Sequence, residues 1–222
     1  MTKNTGPTYA IHNSSSSRAT RNTRSSIGGW PYLDPGQPWP ECRCGKQMAL
    51  YFQIQLPDYI PHFGGDQLLM FLCPDENDAG FYPEAGQLPE RYWDDAPGAG
   101  RPFWRILLQR NAVHADTPDP HFEPSRLYWK IRRDIAPGEP AAGFIVGGTP
   151  QWVQDPEHYR CACGTDLVFL CQVPEDYQFR DYAIRGKHFR SVEDGLFLGN
   201  QVYILACPAR CDPAAAWPVC QN

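Results

Sequence analysis

The sequence predicts an α+β fold that is predominantly β, with few helices: two duplicated β-units and an inserted middle section. Three observations predict it. One motif occurs twice. Gly28-Gly29, Pro31, Cys42-Arg43-Cys44-Gly45 and Gln53 recur as Gly147-Gly148, Pro150, Cys161-Ala162-Cys163-Gly164 and Gln172, at a constant offset of 119 residues. A second block follows each copy, from Gly65-Asp66-Gln67 to Cys73-Pro74 and from Gly199-Asn200-Gln201 to Cys207-Pro208, at an offset of 134. Proline and glycine are abundant, at 23 and 19 of 222 residues, which implies many turns between short strands. No long segment carries the apolar periodicity of an amphipathic helix.

The elements follow in order. Residues 1–26 read as a disordered, basic, Ser-rich tail. They hold Lys3, Arg18, Arg21 and Arg24, no acid, and the run Ser14-Ser15-Ser16-Ser17. Residues 27–222 read as a single domain. Its first repeat unit covers 27–74, with extended, turn-rich chain from Gly28 to Pro40 and strands over Met48–Leu56 and Leu68–Leu72. The middle section covers 75–146. There 77–102 is loop-like, and Arg105–Gln109 and Leu127–Ile135 are candidate strands. In the second, Leu127, Trp129 and Ile131 alternate with Tyr128, Lys130 and Arg132. The second repeat unit covers 147–212, with strands over Leu167–Val173 and Val202–Ala206. Its charged segment Gln178–Asp194 reads as a surface loop or short helix. A C-terminal tail, 213–222, brings Trp217 and Cys220 back toward the domain.

These motifs resemble the YwqG-like bacterial family, whose function is unassigned. The resemblance rests on Gly147-Gly148-Thr149-Pro150-Gln151-Trp152-Val153-Gln154, Cys163-Gly164, Gln172, Gly199-Asn200 and Cys207-Pro208. The first copy matches through Gly28-Gly29-Trp30-Pro31, Cys44-Gly45, Gln53, Gly65-Asp66 and Cys73-Pro74. A more distant similarity, through the Gly-Gly-x-Pro and cysteine turns, is to the programmed cell death protein 2 family. That similarity implies protein binding, including escort of a nascent ribosomal protein, rather than catalysis. Both turns here are Cys-x-Cys, where such relatives often have Cys-x-x-Cys.

The cysteines are the candidate metal ligands. Cys161 and Cys163 lie on a Gly-terminated turn, and Cys207 and Cys211 lie at a strand end. Two sulfur pairs from separate turns make the tetrahedral thiolate set that structural zinc prefers. Zinc is therefore the expected cofactor, in a structural role. The first unit offers Cys42, Cys44 and Cys73 but no fourth thiol, with Asp75 or His62 as candidate fourth ligands. The simpler expectation there is a unit that has lost its metal and keeps small buried residues.

The remaining motifs read as structural. The Gly-Gly pairs lack the Lys-Ser/Thr of a phosphate loop and imply tight turns. Gln53 and Gln172 sit in apolar strands, where a buried amide must find partners, most simply in the neighbouring turn. Trp30, Trp39 and Trp152 read as packing over a thin β-unit. Six histidines are scattered without a metalloenzyme spacing. Asp94, Asp95, Asp116 and Asp119 read as solvated loop acids.

The net charge of −5 argues against a general nucleic-acid binder. No run approaches the ~20 apolar residues of a membrane span. No apolar stretch marks a secretory signal, so a cytoplasmic site and reduced thiols are expected. The expected function is a non-enzymatic protein-interaction or chaperone-like module. Its partner would be a protein, not a membrane or nucleic acid. An immunity or antitoxin role, with an acidic protein neutralising a basic toxin, is one form of it. The alternative is an enzyme whose cleft active site carries no recognisable motif.

Overall fold

The computed structural model describes residues 6–79, 88, 103–136, 138–187 and 189–222. Its strands in chain order are β1 (Tyr9–Arg18), β2 (Ser26–Ile27), β3 (Tyr32–Leu33), β4 (Ala49–Gln55), β5 (Gln67–Leu72), β6 (Trp104–Gln109) and β7 (Val113–His114). They continue as β8 (Ser125–Ile131), β9 (Pro140–Ala141), β10 (Ile145–Val146), β11 (Thr149–Pro150), β12 (Val168–Val173), β13 (Gln201–Ala206) and β14 (Ala216–Gln221). Ten of them form one sheet in the order β14-β13-β12-β10-β1-β8-β2-β4-β5-β6. The fold is thus predominantly β. Among the described residues helix is confined to a 3-10 turn over Phe179–Tyr182 and α1 (Arg190–Glu193). No helix there is long and apolar enough to cross a membrane.

The two ends of the sheet come together. Leu108 N–H, in β6, donates to Pro213 O just before β14 at 2.8 Å. Trp104 and Trp217 meet edge to face across the seam, with ring centroids 5.4 Å apart. The sheet is nearly closed, and its inner face holds the core. β4 and β5 are buried on both faces, apart from half-buried Gln55. That burial explains their near-continuous apolar sequences. Tyr51, Phe52, Phe122, Phe144, Tyr177 and Phe179 form one aromatic cluster at the centre.

The two cysteine-bearing units fold alike in their hydrogen bonds. Cys42 N–H donates to Lys46 O and Gly45 N–H to Cys42 O, and Cys161 and Gly164 repeat both bonds to Thr165 and Cys161. Gln53 Oε1 accepts from Tyr32 N–H at 3.0 Å, and Gln172 Oε1 accepts from Gln151 N–H at 3.0 Å. The register of β4 against β5 breaks between Leu50 and Phe52, and that of β12 against β13 between Phe169 and Cys171, the corresponding place. The Gly-Gly turns need positive φ in both units, from 56° to 84°. At Gly148 a Cβ would also lie 1.9 Å from Thr8 Oγ1.

Each unit's leading strand is exchanged. β1 precedes the first unit yet pairs with β10, at the entry to the second; β8 precedes the second yet pairs with β2, at the entry to the first. β1 and β8 pair with each other at the middle of the sheet. Their register is symmetric. His12 faces Tyr128, Ile11 faces Trp129 and Asn13 faces Leu127.

Three expectations are corrected here. The disordered tail over residues 1–26 does not hold for 9–18, which form β1 between two partner strands. Tyr9, Ala10 and Ile11 bury against β8 and β10, His12 and Asn13 continue the pairing with β8, and Arg18 rejoins it. The serine run has no apolar signature and falls where the register is interrupted, between Asn13 and Arg18. The tail over 213–222 is mostly β14, paired to β13 along its whole length. Asp119 is also not solvated. It is buried, its Oδ1 accepts from His121 and Phe122 N–H groups, and its Oδ2 accepts from Leu50 N–H. Asp94 and Asp95, and most of the loop-like 77–102, lie outside the described residues.

Candidate metal centres

Cys161 and Cys163 sit on a turn that closes through Cys161 N–H to Thr165 O at 2.8 Å and Gly164 N–H to Cys161 O at 2.9 Å. Gly164 takes φ 84°, which lets the turn reverse within four residues. Cys207 follows β13, and its N–H is fixed by Ala215 O at 2.9 Å. The chain then turns through Arg210, at φ 52°, to bring Cys211 back beside Cys207. Two loops far apart in sequence thus present four sulfurs to one point.

The spacing of those sulfurs is informative. Cys161 and Cys211 Sγ are 3.3 Å apart, Cys163 and Cys207 3.6 Å, and Cys207 and Cys211 3.8 Å. All four ligand atoms lie within 4.8 Å of one another. A disulfide would need about 2.05 Å. A tetrahedral ion with metal–sulfur bonds of about 2.3 Å places its sulfurs about 3.8 Å apart. The four thiols could therefore hold one metal ion. The hydrogen-bond contact with Thr165 lowers Cys163 to about 6, so one sulfur is poised as thiolate. Burial raises Cys207 instead. Gathered thiols of opposite tendency suit a cation, because a bound ion makes every one a thiolate at neutral pH.

The first unit repeats three of these positions. Cys42, Cys44 and Cys73 place their sulfurs within 4.8 Å of one another, and Cys44 and Cys73 are 3.6 Å apart. The expectation that these were only small core residues understates them, since they form a converging set that could also hold an ion. Cys42 and Cys73 are buried and Cys44 is exposed. Asp75 N–H donates to Cys73 Sγ at 3.5 Å. Neither proposed fourth ligand joins them. Asp75 pairs with Lys46, and Glu76 Oε2 takes Arg43 Nε at 2.7 Å. His62 packs edge to face on Phe63.

Cys171 is fully buried inside β12, and Cys220 is half-buried in β14. Neither belongs to a converging set among the described residues. Sequence reasoning missed Arg210. Its guanidinium leaves the turn between Cys207 and Cys211, pairs with Asp66 at 3.0 Å and lies over the Phe63 ring. The turn that carries two sulfurs thereby grips the opposite unit. The pairing of Arg210 with the repeated Gly-Asp block has no local sequence signal, because it joins positions across the closing seam. Beside it lies a small cavity of about 160 Å³, lined by Asp34, Asp66, Leu108, Arg110, Cys207, Arg210, Asp212 and Pro213.

No family model and no curated protein matches the chain.

Proposed function

We propose that the chain is a non-enzymatic protein-interaction module of the YwqG-like kind, whose thiol clusters hold structural zinc. The observation that carries the metal part is the four-sulfur set of Cys161, Cys163, Cys207 and Cys211, at tetrahedral spacing. All-sulfur, closed coordination favours zinc in a structural role, since no position stays open for a substrate. The ion ties the turn before β12 to the end of β13, where the sheet closes.

The interaction part is supported by the surface over β8. Trp129 and Ile131 are 43% and 45% exposed, next to Lys130, and Tyr59 is 79% exposed. Tyr9 buttresses Trp129 edge to face at 5.1 Å. A braced, exposed tryptophan is the kind of residue that dominates protein interfaces.

Metal analysis of protein purified under reducing conditions tests the zinc. The expected result is at least one zinc per chain, lost in Cys161→Ser together with a fall in melting temperature. Zinc-free reduced protein whose melting temperature ignores a chelator overturns it. For the interaction, Trp129→Ser is expected to keep the melting temperature within a few degrees while weakening partner capture tenfold or more, about 1.4 kcal/mol. Unchanged capture removes β8 as the contact surface.

A further inference from the structure

We infer that the first cysteine set is an open metal centre: three protein thiolates hold an ion whose fourth position takes a thiolate from outside the chain. This rests on the metal reading of the second set. The two centres differ at one ligand. Cys42, Cys44 and Cys73 correspond to Cys161, Cys163 and Cys207, and the position corresponding to Cys211 is Asn77. Asn77 supplies no thiolate. Its amide nitrogen donates to Gly195 O at 2.7 Å, so the side chain is held by the segment after α1.

No imidazole or carboxylate among the described residues completes the set. Asp75 and Glu76 are engaged with Lys46 and Arg43. Zinc and its relatives do not rest at three ligands, and a three-ligand protein site with an open position is the arrangement that accepts an outside donor. Access exists through Cys44, the exposed member of the three.

The chemistry selects the donor. Three thiolates on a divalent ion leave one net negative charge and a soft environment, in which sulfur competes well with water. The second centre holds a thiolate at the corresponding vertex, so the framework tolerates sulfur there. Binding is simple ligand exchange: the incoming thiol loses its proton to solvent, its sulfur bonds the metal, and a coordinated water leaves. No oxidant or reductant is required. Two sources supply such a donor, a low-molecular-weight thiol and a cysteine of a bound protein.

Cobalt(II) substitution of the full chain under anaerobic conditions is the test, because its ligand-field and sulfur charge-transfer bands report the donor set. Two cobalt ions per chain are expected. Titration with 2-mercaptoethanol is then expected to convert one of them, and only one, to a four-sulfur spectrum. Cys44→Ser is expected to lose that response and leave the other ion's spectrum unchanged. Asn77→Cys is expected to produce a four-sulfur spectrum at both ions without added thiol. Glutathione acting at least tenfold more tightly than N-acetylcysteine amide marks a free cellular thiol. Equal action marks a site that reads sulfur alone, as capture of a protein cysteine requires. One cobalt per chain, with an unresponsive four-sulfur spectrum, overturns this inference and leaves the structural centre standing. Two ions insensitive to thiol overturn it also, and no bound metal overturns both.

Discussion

Gln53 and Gln172 show how one polar side chain holds a β-unit together. Each lies fully buried in an apolar strand and spends its amide on the turn beside it. Gln53 Nε2 reaches Trp30 O at 2.8 Å and Ser26 Oγ at 3.1 Å, and Gln172 Nε2 reaches Gly143 O at 3.2 Å and Ala141 O at 3.3 Å. Replacing Gln172 by leucine would keep the volume and leave Ala141 O in the core without its partner. A loss of about 1–3 kcal/mol, the cost of one buried orphan, is expected in urea unfolding.

Arg210 is the second residue on which much rests. Burial raises the Asp66 carboxyl, while Arg210 and then Arg110 pull it back down. In Arg210→Ala the first opposing cation is gone and Asp66 rises further. The folded state then holds its proton more tightly than the unfolded chain does. The resulting deficit is full above the folded pKa of Asp66 and shrinks as pH falls through it. A deficit of about 3 kcal/mol at neutral pH, narrowing on acidification, is expected from unfolding curves across pH. Asp66→Asn in the same background is expected to remove the pH dependence.

At the scale of elements, legibility followed apolar content. Strands β4, β5, β6, β12 and β13 fall within a residue or so of the expected spans, because both their faces are buried and their sequences say so. The glutamines and paired glycines also serve as expected, since a turn's needs are local. β1 was illegible for the opposite reason. Its membership is decided by two neighbours more than a hundred residues away, and the residues that pair, Tyr9–Asn13 and Arg18, are too few and too interrupted to show a strand period. The first thiol set was half legible: three sulfurs were visible in the spacing, but their convergence depends on β5 and the turn before β4 meeting in space.

A direct check on β1 is Ile11→Pro. Ile11 N–H donates to Phe144 O at 2.8 Å, in the middle of the sheet where proline is not tolerated. The lost bond and the orphaned carbonyl cost more than a single unpaired group, about 1–3 kcal/mol, and the ring adds its own clash. Deleting residues 1–18 is expected to go further and abolish the cooperative unfolding transition, read by near-ultraviolet circular dichroism. A true tail would leave that transition in place.

At the scale of the whole molecule, the closing seam and the exchanged strands make the two units one body. The seam is held by Trp104 against Trp217 and by Arg210 reaching to Asp66. The four-sulfur centre sits beside it, because Cys207 and Cys211 flank the turn that carries Arg210. Metal removal is therefore expected to loosen the seam as well as the turn, with early hydrogen exchange at β6 and β14 under a chelator.

The reciprocal loan of β1 and β8 has a consequence for synthesis on the ribosome. The first unit emerges early, yet a gap stays in its sheet until residue 131 has left the exit tunnel, and β1 waits for β10 beyond that. Stepwise completion, one half at a time, is closed to this chain. Its nascent form must hold sticky, unpaired strands in waiting for most of translation, and such a protein depends on being shielded until its last third arrives.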